Sequence, residues 1–439
     1  MKKLVRFSKV SGRLKAPSSK SALQRIIALS WLSQGETKII NPVCCNDVDA
    51  ALGIIKSLGA EVSKTSSAIY IDAREKMKKL DKSRGTVKLF CQESGLALRM
   101  FSPIVSLNNC SFEFTAAGSL NKRPSASIVE TLSLFGVKIS DNAGFPPLTV
   151  CGELTGGFAE INSSLSSQIL TGLLLALPAA KENSEIKVNN LKSRPYIDLT
   201  IELAKKFGCE IINNNYSVFK INGGQKYKSP GIIEAEGDWS SASFLLVAAA
   251  LSKEGSIQID NLNIDSKQAD KAIVEVLSAC GLKIEFGCKS GCSSGSDFIA
   301  LKRTEPLLRA FEFDASDCPD LFPPLVALAS GCNGVSLIHG AERLKHKESD
   351  REMSLIEEFS KAGIDVKSNG RTISVSGAGG KGIKSFKGSS HNDHRIAMAI
   401  AAASAAGSAE VEIENAEAVE KSYPDFFKDL LLIGGKVYE

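Results

Sequence analysis

Six stretches of the chain share one pattern of apolar and polar positions. They are "ALGIIKSLGAEV", "IVETLSLFGVKI", "TIELAKKFGCEI", "AIVEVLSACGLKI", "SLIEEFSKAGIDV" and "FFKDLLLIGGKV". In each, apolar residues recur three and four positions apart, a glycine follows, and apolar and polar residues then alternate singly. The first pattern is a helix with one buried face and the second is a strand. A glycine between them fits a left-handed helix cap. The glycines are Gly59, Gly136, Gly208, Gly281, Gly363 and Gly435. They recur at a period of roughly 75 residues, which marks an internal repeat.

A second series lies between these: "KSALQRIIALSWLSQG", "ESGLALRMFSPIVSL", "SSQILTGLLLALPAA", "SSASFLLVAAALSKEG", "PDLFPPLVALASG" and "NDHRIAMAIAAASAAG". These segments are apolar almost all round, so as helices they must be enclosed by protein. Each precedes a strand-like run: "TKIINP", "SFEFTA", "SEIKVNN", "SIQIDN", "GVSLIHG" and "EVEIEN". The predicted unit is strand, buried helix, strand, amphipathic helix, strand. Three units per domain give an α/β chain of two similar domains of roughly 200 residues each. Buried helices form the middle of each domain and sheets lie outside.

Composition agrees with this picture. At 439 residues the chain exceeds one hydrophobic core, and 43% hydrophobic with 23% charged residues is ordinary for a soluble protein. The longest apolar runs, such as "ILTGLLLALPAA" (169–180), are too short to span a bilayer. The basic start "MKKLVRFSKVSGRLKAPSSK" lacks the apolar core of a secretory signal. The net charge of +4 is spread out, without the basic tract of a nucleic-acid surface. Eleven cysteines without regular spacing fit reduced thiols in a cytoplasmic protein. "CKSGC" (288–292) has no matching second pair for zinc, and "HNDH" (391–394) has no third ligand. "GAGGKGIKS" (377–385) fails as a phosphate loop because Ile383 follows Gly382 where a lysine is required.

The front of each buried helix carries polar residues: Lys20, Ser21 and Arg25; Glu93, Ser94, Gly95 and Arg99; Ser166, Ser167 and Gln168; Asp238, Ser240 and Ser241; Asp317 and Asp320; and Asn392, Asp393, His394 and Arg395. Helix capping accounts for Asp238, Ser240 and Asp393. It does not account for Lys20, Arg25, Arg99 or Arg395, since the helix dipole opposes cations at this end. An anion lying between the cation and the exposed N–H groups removes the conflict. Further cations stand in loops: Arg123, Arg194, Lys345, Lys347, Arg351 and Lys421. Glu348 and Asp320 are candidate acid–base groups.

The motifs "PSSKSALQR", "SSQ", "SRPYIDLT", "EGDWSSAS", "CPDLFP", "KHKESDR", "NDHR" and "KSYPDFF" occur in that order over nearly the whole chain. In this the chain resembles the 5-enolpyruvylshikimate-3-phosphate synthase family. The resemblance implies two domains of three βαβαββ units each, the enolpyruvyl transferase inside-out barrel. It places 20–236 in one domain and 1–19 with 237–439 in the other. It implies transfer of the enolpyruvyl group of phosphoenolpyruvate to the 5-hydroxyl of shikimate 3-phosphate, with no metal or organic cofactor; nothing in the sequence demands assembly, so a monomer is expected. Asp320, Glu348 and Lys20 are the implied catalytic groups. Shikimate 3-phosphate falls to Lys20, Ser21, Arg25, Ser166, Ser167, Gln168, Ser193, Tyr196, Asp320 and Lys347. Phosphoenolpyruvate falls to Lys20, Gly95, Arg123, Gln168, Arg351, Arg395 and Lys421.

One wall departs from the family pattern. Where "GNAGT" is usual, this chain has "QESGL" (92–96), with Glu93 for the asparagine and Leu96 for the threonine. A carboxylate there repels an anionic substrate unless it is paired or turned away, so altered phosphoenolpyruvate affinity and reduced glyphosate sensitivity are expected. Ser18 and Leu23 also replace a usual glycine and hydroxyl residue. The alternatives are the enolpyruvyl transferase acting on UDP-N-acetylglucosamine, which lacks "KESDR" with "NDHR", and a catalytically weakened paralogue. A DNA sliding clamp would need cations along exposed helix faces, and here they gather at helix starts.

Overall fold

The computed structural model describes residues 1–74, 85–287, 298–407 and 409–439, so "CKSGC" lies outside the described residues. The described residues form twelve α-helices: α1 (Lys20–Leu32), α2 (Asn46–Ser57), α3 (Gly95–Val105), α4 (Ala126–Ser133), α5 (Gln168–Ala176), α6 (Arg194–Lys206), α7 (Trp239–Leu251), α8 (Ile273–Ala279), α9 (Phe322–Gly331), α10 (Arg351–Lys361), α11 (His394–Ala403) and α12 (Phe426–Leu432). The odd-numbered helices are the all-apolar series. Every residue of α3, α7 and α11 is buried. The even-numbered helices bury one face only, as in α6, where Ile197, Leu199, Thr200, Leu203 and Ala204 are buried while Lys205 and Lys206 are not.

The chain forms two compact units, one of Lys20–Ala235 and one of Met1–Ser19 with Glu236–Glu439. Glu236, assigned by the sequence to the first domain, falls in the second, where its carbonyl accepts the Ser19 N–H at 2.7 Å. Among the described residues each unit holds three four-stranded sheets. Every sheet has one parallel pair, followed by antiparallel neighbours. In four sheets the parallel pair is joined through a buried helix, as α3 joins Val87–Phe90 to Ser111–Thr115. Such a parallel connection needs a crossover, and the crossover helix packs against its own sheet. In the other two sheets the parallel partner comes from far along the chain. Ile232–Glu234 pairs with Glu36–Ile40, and Ser11–Lys15 pairs with Ser256–Asp260. Lys2–Phe7 likewise inserts between Val411–Glu414 and Gly435–Tyr438. The last two strands make the second unit discontinuous in sequence, whereas Ile232–Glu234 completes a sheet of the first unit.

Five of the six repeat glycines hold the expected left-handed conformation, from Gly59 at φ 91° to Gly363 at φ 81°. In the sixth repeat the position belongs to Gly434 (φ 92°), not Gly435. Gly435 instead opens the final strand, where a Cβ would lie 2.8 Å from Phe7 Cε1. Two adjacent glycines serve two purposes there, and pattern alone chose the wrong one.

The buried helices cross closely. At Gly172 of α5 an added Cβ would stand 2.7 Å from the Met100 carbonyl oxygen and 2.9 Å from that of Arg99, both on α3. Backbone atoms cannot yield as a side-chain tip can. Gly172→Ala is therefore expected to destabilise the protein by about 1–3 kcal/mol, read as a lower midpoint in urea unfolding. An unchanged midpoint would show that the two helices separate freely.

Candidate active site

In the unit Lys20–Ala235, polar residues gather at the starts of α1, α3 and α5. Lys20 pairs with Asp47 at 2.9 Å, and both are largely buried. Arg25, one turn into α1, is buried. Its Nε donates to the Thr200 hydroxyl at 2.9 Å and its guanidinium to the Ser21 carbonyl at 2.8 Å, with longer bonds to Thr171 and the Tyr196 carbonyl. The Tyr196 ring lies below it, 5.9 Å from centroid to Cζ. All these partners are neutral, and burial pushes the Arg25 guanidinium down to about 10. Arg99 donates to the Gly95 carbonyl and to Gln168 Oε1 at 3.3 Å, so the starts of α3 and α5 are tied together. A Cβ on Gly95 would meet the guanidinium nitrogens of Arg99 and Arg123 at 2.8 and 3.0 Å, which places both cations at one wall. Ser166 accepts the Gln168 N–H at 3.2 Å. Ser193 adopts a left-handed conformation at the front of α6, and Ser167 and Ser193 are buried.

Glu93 stands at this wall, and its charge is engaged. Glu93 Oε2 accepts from the Ser119 backbone N–H at 3.3 Å and from the Ser119 hydroxyl at 3.0 Å. Arg123 donates to the same hydroxyl at 3.4 Å. Gln24, a position the sequence reading passed over, donates to the Asp47 carbonyl and to Ser94, both at 2.8 Å. Ser94 in turn caps α3 by accepting from Ala97 N–H.

In the second unit the cations meet carboxylates. Arg351 opens α10 and is buried. Its Nε donates to Asp393 at 2.7 Å, one terminal nitrogen to Asp320 at 2.8 Å, and the other to Glu348 at 2.6 Å. Asp320 also takes Arg395 at 3.1 Å and Lys347 at 3.3 Å. Burial alone would raise the Asp320 carboxyl, but Arg395, Lys347 and Arg351 outweigh it and hold the group well below the usual carboxylate range. Burial lowers the Lys347 ammonium despite Asp320 beside it. The structure thus brings Asp320, Lys347, Glu348, Arg351 and Arg395 into one network. Lys421 is buried at the end of a short 3-10 helix, Ala416–Lys421.

The capping assignments need correction. Asp393 does cap α11, accepting from the Arg395 N–H at 2.9 Å, while its other oxygen holds Arg351. Asp238 sits at the front of α7 but makes no backbone cap, and accepts instead from the Ser241 hydroxyl at 2.7 Å. The Ser240 hydroxyl binds Arg395. Two loop cations stand apart from the network: Arg194 lies over the Tyr216 ring, and Lys345 is solvent-exposed, 4.0 Å from Glu352. His391 turns to the buried Glu358 at 2.7 Å, in a group with Glu357 whose oxygens Lys361 also contacts. Asp270, fully buried beside Arg395, was missed because "KQADKA" reads as an ordinary helix surface.

Buried cations at helix starts, with an ionised carboxylate among them, make a setting suited to anions in an α/β fold. Solved structures share the fold over the whole of this chain. EPSP synthase from Acinetobacter baumannii aligns with a TM-score of 0.82 at 23% identity, covering 100% of both chains. The enolpyruvyl transferase NikO from Streptomyces tendae aligns at 0.76 and 16%, covering 98% of that chain. The EPSP synthase (3-phosphoshikimate 1-carboxyvinyltransferase) family model matches residues 5–430, and the chain belongs to that family. Its curated relatives include the 3-phosphoshikimate 1-carboxyvinyltransferase of Clostridium novyi, 36% identical over 98% of this chain and 97% of that protein. That of Methanocorpusculum labreanum is 33% identical over the full length of both.

Two outcomes follow from the charges. Arg351→Ala strands the buried Asp393 carboxylate and is expected to lower stability by about 3–5 kcal/mol, seen in denaturant unfolding; an unaffected midpoint would show that Asp393 finds another partner. His391 is raised above its ordinary value, chiefly by its hydrogen bond to Glu358. A raised folded value means that its contribution is fully present below the unfolded value of about 6.5 and is lost as pH climbs through the folded value. His391→Gln should remove that part of the stability–pH profile, and an identical profile would refute the pairing.

Proposed function

We propose that this chain transfers the enolpyruvyl group of phosphoenolpyruvate to the 5-hydroxyl of shikimate 3-phosphate and releases phosphate, a step of the shikimate pathway toward chorismate and the aromatic amino acids. The observation that carries the reading is Asp320, an ionised carboxylate set among Arg395, Arg351 and Lys347. A base so placed accepts a proton where anionic substrates are held. The names of relatives that match over nearly their full length favour this acceptor over UDP-N-acetylglucosamine.

In this reading Asp320 takes the proton of the 5-hydroxyl as its oxygen attacks C2 of phosphoenolpyruvate. A proton is added to the methylene carbon, with Glu348 and Lys20 as the groups serving that transfer. The tetrahedral intermediate then loses phosphate, and removal of a proton from the new methyl group restores the double bond. Lys20, Gly95, Arg123, Gln168, Arg351, Arg395 and Lys421 are the proposed phosphoenolpyruvate set. Ser21, Arg25, Ser166, Ser167, Gln168, Ser193, Tyr196 and Lys347, with Lys20 and Asp320, are the proposed shikimate 3-phosphate set. Arginine suits both ligands because its fork meets two oxygens of a phosphate or carboxylate at once. Glu93, held on Ser119, is the group proposed to alter phosphoenolpyruvate affinity and to reduce glyphosate sensitivity relative to family members with asparagine there. The proposed setting is a cytoplasmic monomer; no described helix is long and apolar enough to cross a membrane.

Phosphate release should require phosphoenolpyruvate together with shikimate 3-phosphate, and release with UDP-N-acetylglucosamine instead would overturn the acceptor. Arg395→Ala should raise the KM for phosphoenolpyruvate strongly with circular dichroism unchanged. Asp320→Asn should lower kcat by about 10²–10⁴-fold, the range for losing a general base; a kcat near that of the unaltered enzyme would remove Asp320 from the role.

A further inference from the structure

Asp270 lies on a short 3-10 helix, Ala269–Ala272, in the same unit as Arg395. It is 1% exposed, and neither carboxylate oxygen accepts a hydrogen bond of normal geometry. A buried carboxylate in this condition is costly unless it is neutral or compensated by a charge. The nearest cation is Arg395, whose guanidinium nitrogen stands 4.0 Å from Oδ2. That guanidinium is already committed: it holds Asp320 at 3.1 Å and the Ser240 hydroxyl. The groups facing Asp270 are Arg395 of α11, Asp320 of the segment Pro319–Leu321, Asp238 and Ser240 at the front of α7, and the neutral Cys318 thiol. One cation is therefore shared by two carboxylates, with a third acid close by.

Two like charges around one cation divide their protons unequally. Asp320 has Lys347 and Arg351 as further partners and stays ionised. Asp270 has Arg395 at 4.0 Å and the Ser240 hydroxyl as its favourable neighbours, and burial, with Asp320 next, outweighs them and pushes it up to about 7.

We propose that Asp270 is a positioning residue that sets the anion affinity of Arg395: as a neutral carboxyl it leaves the guanidinium to an incoming anionic ligand, and as a carboxylate it competes with that ligand. An anion bound at Arg395 adds negative charge near Asp270 and draws a proton onto it. Binding is thereby coupled to proton uptake by a residue that does not touch the ligand. This rests on the placement of phosphoenolpyruvate at Arg395.

The test is the KM for phosphoenolpyruvate against pH, in the range above the last ionisation of the substrate's own phosphate. In the unaltered enzyme log KM should rise with pH, by up to about tenfold per unit, the slope of one linked proton. Asp270→Asn mimics the neutral carboxyl, so its KM should stay low and flat over that range with kcat little changed, and Asp270→Glu should restore the rise. The same rise in Asp270→Asn, or a flat profile in the unaltered enzyme, overturns the proposal. If the asparagine variant does not fold, calorimetry of phosphoenolpyruvate binding to the unaltered enzyme, in two buffers of different ionisation heat, decides: proton uptake supports it and none overturns it. Failure of the parent reading shows separately, as an unchanged KM in Arg395→Ala, and takes this proposal with it.

Discussion

A helix that is apolar on every side can meet solvent or ligand only through its ends. Each buried helix obeys this constraint, and the chemistry of the molecule follows from it. The charged side chains of α3 and α11, such as Arg99 and Arg395, stand within the first five residues, and the polar side chains deeper in α3 and α7, such as Ser102 and Ser243, are small hydroxyls bonded to carbonyls of their own helix. The dipole of each helix presents positive charge at that end, and the cations add to it rather than cancel it. Such an arrangement is unfavourable by itself and is stabilised by anions. Some of those anions are already built into the chain.

The two units meet that demand differently. In Lys20–Ala235, Arg25 is held by hydroxyls and carbonyls alone, and its lowered value shows the strain of a buried cation with neutral company. In the second unit, Asp393, Glu348 and Asp320 surround Arg351, and Asp320 extends the network to Arg395 and Lys347. The first arrangement is suited to receive a phosphate. The second keeps a carboxylate ionised among its cations. A shared βαβαββ plan thus carries two distinct electrostatic designs, and the difference lies in a few residues at the helix starts.

The repeat was legible because burial imposes period: helices enclosed by protein lose their polar face, and sheet-facing helices keep one. The cations were legible because capping could not explain them. What escaped was whatever depends on three-dimensional neighbours. Asp238 and Ser240 read as caps, yet Asp238 accepts from Ser241 and Ser240 from Arg395, which comes from the other end of the unit's sequence. Asp393 read as a cap and is one, but its second oxygen holds Arg351. Asp270 gave no signal, because nothing local distinguishes a buried carboxylate from a solvated one. Gly434 and Gly435 were indistinguishable until the strand beside Phe7 assigned them.

Glu93 shows how a departure from the family pattern is absorbed. A carboxylate at a wall with Arg99 and Arg123 invites either direct neutralisation of a cation or repulsion of an anionic ligand. The chain places its Oε2 on the Ser119 N–H and hydroxyl, and Arg123 reaches the same hydroxyl from the other side. Room for this comes from Gly118: at φ 49° it carries no side chain, and a Cβ there would lie 2.1 Å from Glu93 Oε1. The negative charge is thus fixed on Ser119 at the wall. The substitution is coupled to the glycine beside it: any larger residue at 118 would push the carboxylate off Ser119.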